Sequence, residues 1–220
     1  MERTPEPELM EDLDQAAAYA AADFASVNAD FVARFRSLAP GLTAGRVIDL
    51  GCGPGDILER LCTALPGLEA VGLDGSAAML AHAHRAFEAA GLAERVRWVE
   101  GRLPEALPAE RFDAVLSNSL LHHLPDPAVL WDAVGALAAS GAWVQVVDLL
   151  RPTAASDVDR LVETYAADEP PVLQRDFHAS LHAAFSVDEV WAQLQRAGFA
   201  GDLALEVISD RHWAVTGRLS

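Results

Sequence analysis

The side chains best suited to chemistry stand at the ends of short apolar runs. Asp49 precedes a turn with glycines at 51, 53 and 55, Asp74 ends the next apolar run, His122 and His123 follow a later one, and Asp148 closes the last. The turn Gly51-Cys52-Gly53-Pro54-Gly55 lets a backbone approach a ligand closely, and the helix that starts after it offers N–H groups. A dinucleotide-binding turn wants its third glycine at position 56, where Asp56 stands, and a carboxylate there is a poor neighbour for a pyrophosphate. It is a tolerable neighbour for a ligand with no phosphate and a positive charge. Asp74 lies about 19 residues past Gly55, the usual separation between a glycine turn and the acid that accepts from ribose hydroxyls. Asp49 can meet the ammonium of an amino-acid tail, directly or through water. Together these residues specify a nucleoside bearing an amino acid better than they specify a dinucleotide.

A second set is suited to proton transfer and to holding a substrate. His122 and His123 follow the fourth apolar run, at the sheet edge where ligands bind in such folds. Neighbouring residues face apart, so one histidine is expected to point into the site and the other to be structural. Asp148 ends the fifth run at the same edge and is a candidate base, against a capping or tethering role. Arg151, Arg175 and Arg211 can grip a substrate carboxylate bidentately, against ordinary ion pairs with nearby acids. Tyr19, Asp23 and Phe24 can close over a cation. His178 and His182 share a helical face at i, i+4, a spacing that suits zinc, but no third ligand accompanies them, so no metal is expected. His82 and His84 read as surface residues, and His212 falls in a closing strand.

These residues need a scaffold that brings strand ends together. From residue 46 short β-branched runs alternate with helical stretches, the signature of βαβ units and a parallel sheet. Strands are expected at Arg46–Leu50, Ala70–Asp74, Val96–Glu100, Asp113–Asn118 and Ala142–Leu149. Ser76 caps a helix running to Gly91, Asp126 with Pro127 opens another, and Ser186 with Glu189 forms a capping box for a helix stopped by Gly198. Leu203–Ser209 and Trp213–Arg218 read as closing strands whose short link makes them antiparallel. Residues 1–44, with Phe31, Phe35 and Leu38 at i, i+4 and i+7, read as a lid or N-terminal helical layer, and residues 151–185 as a roof over a substrate pocket.

Composition sets limits. The chain has 220 residues, which suits one domain. Its formal charge is −17, from 33 acidic and 16 basic side chains, so nucleic acid is an unfavourable partner. Every basic residue is arginine, which removes Schiff-base chemistry, a Walker-type phosphate loop and a tyrosine-lysine dehydrogenase site. The two cysteines, Cys52 and Cys62, match neither a metal spacing nor a disulfide framework. The opening MERTPEPELMEDLD is acidic where a signal peptide is basic, and no apolar run of about 18 residues occurs, so a cytoplasmic protein without a membrane partner is expected.

With VIDLGCGPGD, VGLDGSAAML and FDAVLSNSLLHHLPDP on the page, the chain resembles a class I S-adenosylmethionine-dependent methyltransferase of the small-molecule type, over residues 46–149. The resemblance implies a doubly wound, seven-stranded, mostly parallel α/β sheet of Rossmann-like form with the last strand antiparallel. It implies a single methyltransferase domain over 1–220: a lid (1–44), a cofactor-binding core (46–149), a substrate roof (151–185) and a closing helix and strands (186–220). It implies S-adenosylmethionine as cofactor and S-adenosylhomocysteine as product. Asp49, Gly51, Cys52, Gly53 and Gly55 would meet the methionine part, and Asp74, Gly75 and Ser76 the ribose. Arg102 and Leu103 would meet the adenine, and Asn118 and Ser119 the region near the sulfonium. Arg102 stands where the family often has an acid, and Gly75 where a bulky residue often packs on the purine. His122, His123 and Asp148 are then the candidate catalytic residues, and Tyr19, Phe24, Arg151 and Arg175 the candidate substrate-binding ones. The expected reaction is in-line methyl transfer to O, N or C of a small molecule, an organic acid by the arginines. The alternative keeps the fold as a noncatalytic S-adenosylmethionine-binding or regulatory protein. A nicotinamide oxidoreductase is disfavoured by the missing third glycine and missing lysine. Acceptor atom and oligomeric state are left open by the sequence.

Overall fold

The computed structural model describes residues 1–6, 19, 22 and 24–220. Asp23 lies outside the described residues. Seven strands make one sheet: β1 (Ala44–Leu50), β2 (Gly67–Asp74), β3 (Val96–Glu100), β4 (Phe112–Asn118), β5 (Ala138–Leu149), β6 (Leu203–Val207) and β7 (His212–Arg218), in the order β3-β2-β1-β4-β5-β7-β6. β1 to β5 pair in parallel, and β7 runs antiparallel between β5 and β6. Val47, Ile48 and Leu50 are fully buried, as a strand covered on both faces requires.

The helices are α1 (Ala25–Leu38), α2 (Asp56–Ala64), α3 (Ala77–Ala89), α4 (Ala128–Leu137), α5 (Ala155–Ala166), α6 (Pro171–Ala183) and α7 (Val187–Ala197). One face of the sheet carries α1, α2 and α3, with Phe31, Phe35, Leu58, Leu61 and Phe87 packed together. The other carries α4 and α7, through Trp131, Val134, Val190 and Leu194. Helices α5 and α6 form a separate small core of Val158, Leu161 and Leu181 with Leu149. The end signals act as expected: Ser76 Oγ accepts from Met79 N at 3.3 Å, and Ser186 and Glu189 close a reciprocal capping box. Asp126 accepts from Ala128 N at 2.9 Å.

Two strands begin three or more residues before the apolar pattern suggests. β2 starts at Gly67, and β5 starts at Ala138 with a register shift between the Phe112 and Ala114 pairings. Gly141 holds φ +77° within β5 and lets the strand resume pairing. The chain order reverses between β1 and β4, so the carboxyl ends of those strands flank the crevice where ligands bind in open α/β sheets. Among the described residues no helix is long and apolar enough to cross a membrane.

Candidate active site

The turn after β1 is a left-handed sequence of glycines: φ is +71° at Gly51, +53° at Gly53 and +85° at Gly55. Gly51 and Gly53 line a cavity of about 430 Å³. A side chain at Gly51 would strike Leu120, whereas open space lies before Gly53. The N–H groups of the turn are turned inward. Those of Gly51 and Cys52 donate to Leu73 O at 2.8 and 3.0 Å, Gly55 donates to Cys52 O, and Gly53 donates to Asp74 Oδ2 at 2.8 Å. This turn has no nest for a phosphate, in keeping with the carboxylate at Asp56.

Asp74 ends β2 with both oxygens anchored, Oδ1 by Ser76 N and Oδ2 by Gly53 N, each at 2.8 Å. Each oxygen keeps a second lone pair for a ligand hydroxyl. Burial lifts its pKa, and the two N–H bonds oppose that rise. Asp49 is 1% exposed and its Oδ1 has no hydrogen-bond partner among the described residues. Burial first, and then the charge of Asp74, push it up to about 7. A buried carboxyl group with one unpartnered oxygen, at the end of the strand that enters the glycine turn, is the environment a ligand ammonium would complete, and a ribose diol fits the spare acceptors of Asp74. The residues therefore fit S-adenosylmethionine.

At the other end of the same cavity, Asp148 at the end of β5 organises the turn after β4. Its Oδ2 accepts from Leu121 N at 2.6 Å, and its Oδ1 accepts from Leu149 N at 2.6 Å and meets His122 Nδ1 at 2.5 Å. Burial raises the Asp148 pKa, but its imidazole neighbour and N–H bonds more than reverse this and leave it below the usual carboxylate range. For His122, burial works downward while the charge and hydrogen bond of Asp148 hold the ring above its ordinary value. The two histidines do not face apart. The residues Leu121–His123 form a single 3-10 turn that stacks the rings at 4.1 Å, and both line the cavity.

The segment 1–6 crosses this end. Arg3 donates to the carbonyls of Ala183, His122 and Leu124 at 2.6, 3.0 and 3.2 Å and stacks on Phe185. Glu6 then reaches the histidines, with Oε1 at 3.4 Å from His122 Nε2 and 3.2 Å from His123 Nδ1, and accepts from Ser180 Oγ at 2.9 Å. Burial raises the Glu6 pKa. Nothing in the proline-flanked acidic opening signalled this placement, because the segment has no periodicity to read.

Of the residues expected at the cofactor, Gly51, Gly53, Asp74, Gly75, Ser76, Arg102, Leu103, Asn118 and Ser119 line the cavity. Ser119 holds φ +56°, rare for a residue with a side chain and typical of strained functional turns. Cys52 and Gly55 do not line it, which corrects their assignment. The Cys52 side chain lies against Gly72, and Trp98, Ala83 and Phe87 fill the space before Gly55, which brings the helix against the sheet. Asp49, buried at 1% exposure, is not a lining residue either.

Of the candidate catalytic and substrate residues, His122, His123, Tyr19 and Phe24 line the cavity, with the two aromatic rings 4.8 Å apart. Burial pushes the Tyr19 phenol up to about 12. Asp148 does not reach the cavity and acts on His122, so it is a positioning residue. Arg151 is also corrected, since it pairs with Glu189 at 2.9 Å and with Ala184 O at 3.2 Å, and Arg175 stands exposed on α6 away from the cavity. Arg211 pairs with Asp210 at 3.4 Å and, unlike Arg151, also lines the cavity, with its guanidinium 3.4 Å from the centre of the Tyr165 ring. His212 lines it too, held down to about 4 by burial and by Arg211. His178 and His182 stack at 4.9 Å, and His178 lies 3.6 Å from Asp159.

Residues 48–144 match a family model described as a methyltransferase domain. An uncharacterized methyltransferase of Mycobacterium tuberculosis is 35% identical over 108 residues, covering 49% of this chain and 52% of that protein. A trans-aconitate 2-methyltransferase of Methylobacterium nodulans is 32% identical over 179 residues, 80% of this chain and 64% of that one. The chain thus spans about half the length of the first curated relatives it matches. The crystal structure of a SAM dependent methyltransferase from Aquifex aeolicus superposes with a TM-score of 0.67 at 17% identity, covering 95% of this chain and 99% of that one, which is a likeness of fold. The strand order, the glycine turn with its paired acids and the domain match agree: residues 48–144 are a methyltransferase domain, on a fold similar to that of S-adenosylmethionine-dependent methyltransferases.

Proposed function

We propose that the protein transfers the methyl group of S-adenosylmethionine to a small organic acid. One observation carries this reading: a single cavity of about 430 Å³ joins the glycine turn and Asp74 to a far end lined by His122, His123, Tyr165, Phe177 and Arg211. Donor and acceptor thus share one cavity, as an in-line displacement requires. The bound donor supplies a methyl carbon activated by its sulfonium. Asp74 holds the ribose hydroxyls, Asp49 meets the ammonium, and Tyr19 and Phe24 present aromatic faces to the positive charge. His122, aimed by Asp148, directs Nε2 toward the acceptor end, and Arg211 offers a planar fork to a carboxylate.

The acid class has two supports. Arg211 is the member of the arginine trio that lines the cavity, and one relative is named for trans-aconitate. The charge of −17 disfavours nucleic acid, and the two free cysteines suit a cytoplasmic location.

The experiment is calorimetry with S-adenosylmethionine and NAD, followed by S-adenosylhomocysteine release in the presence of di- and tricarboxylic acids. The proposal expects binding of the first ligand alone and acid-dependent release. Binding without release from any acceptor pool would favour the noncatalytic alternative.

A further inference from the structure

Glu6, His122 and His123 converge on the acceptor end from opposite parts of the chain, and their ligand-capable atoms all lie within 4.8 Å of one another. The edges from Glu6 Oε1 measure 3.4 Å to His122 Nε2 and 3.2 Å to His123 Nδ1. Ligand atoms about 2.0–2.1 Å from a tetrahedral metal stand roughly 3.4 Å apart, so these edges match the size of a coordination shell. Two of the three groups also have the outer partners that metal ligands need. Asp148 takes His122 Nδ1 at 2.5 Å and leaves Nε2 for an ion, and Ser180 Oγ donates to Glu6 at 2.9 Å. The side chains are 3%, 10% and 18% exposed at His122, Glu6 and His123, so little water competes.

The surroundings favour a cation. Asp148 and Asp176 both act on Glu6, two negative charges against the one positive charge of Arg3, which is bonded to backbone carbonyls and lies over the Phe185 ring but also acts on His122 and Glu6. Both histidines line the cavity, so a fourth coordination position would open toward the acceptor.

We propose that Glu6, His122 and His123 form a site for a divalent transition cation, Zn²⁺ by its two-imidazole, one-carboxylate donor set, with its open position facing the acceptor. An oxygen of the acid acceptor completes the coordination, which orients it toward the donor. In that state His122 is a ligand and Asp148 fixes its tautomer. The site stands on its own geometry, while its role toward the acceptor rests on the methyl-transfer reading.

Metal-stripped protein is titrated with Zn²⁺ by calorimetry, with Mg²⁺ as comparison, and with Co²⁺ by visible absorption. One Zn²⁺ per chain, much weaker Mg²⁺ binding and Co²⁺ bands of tetrahedral type are expected. Glu6→Gln, on a segment outside the main core, should weaken Zn²⁺ by at least about tenfold, and Ser180→Ala by a smaller factor. His178→Ala should change nothing. Absence of Zn²⁺ binding, or equal binding by wild type and Glu6→Gln, overturns the site and leaves a hydrogen-bonded His–Glu cluster. Failure of S-adenosylmethionine to bind the metal-free wild type would instead overturn the methyl-transfer reading.

Discussion

Asp74 carries two jobs with one carboxylate. It pins the glycine turn through Gly53 N and the start of α3 through Ser76 N, and on the proposed reading the remaining lone pair on each oxygen takes a ribose hydroxyl. Asp74→Ala should weaken S-adenosylmethionine binding by about 1–3 kcal/mol, read by calorimetry on a variant whose melting curve shows that it still folds. Unchanged affinity would remove the ribose assignment. Asp49 makes a second residue-scale prediction through pH. Its folded pKa of about 7 exceeds the ordinary 3.8, so the folded chain binds more protons than the unfolded one between those values. The stability it contributes is complete below about pH 4 and is lost as pH rises through about 7, by up to about 4 kcal/mol. Asp49→Asn should therefore be more stable than wild type at pH 8, and equal to it at pH 4 in urea melts. Cofactor affinity should run the other way, rising with pH through 7 in wild type as the carboxylate ionises to meet the ammonium. The Asn variant should show no such rise.

At the scale of elements, the glycine turn is fixed by backbone as well as by space. Gly51→Ala places a side chain at φ +71°, against Leu120, and should cost about 1–2 kcal/mol from the dihedral alone, with cofactor binding reduced as Leu120 shifts. Ser186→Ala opens the capping box of α7 and should lower stability by about 0.5–2 kcal/mol while leaving cofactor affinity intact, since α7 packs away from the turn. These elements were legible in the sequence for a local reason. A strand buried on both faces reads as a continuous apolar run, and Ser76, Ser186 and Gly198 mark helix ends within a few residues. The misreadings arose where distant parts decide. His122 faces His123 because Asp148 ties the 3-10 turn from another strand. The sequence allowed an ion pair for Arg151 but could not name its partner, Glu189, which another element brings to 2.9 Å. Glu6 gave no signal at all, since its position depends on Arg3 and on contacts with α6.

Across the whole molecule, the acidic chain keeps its useful positive groups at the cavity's far end. Arg211→Gln should raise KM for a carboxylate acceptor by about tenfold or more and leave S-adenosylmethionine affinity unchanged, because the guanidinium stands with Tyr165 at the end opposite Asp74. An equal effect on a neutral acceptor would show that Arg211 only packs on the tyrosine. The central claim is that donor and acid acceptor react inside one cavity. It is tested most directly by following methyl-labelled S-adenosylmethionine with purified protein and a panel of small carboxylic acids. The account predicts label transferred to an acid together with matching S-adenosylhomocysteine, both lost in Asp74→Ala at limiting cofactor. Tight binding of NAD with no affinity for S-adenosylmethionine would contradict it.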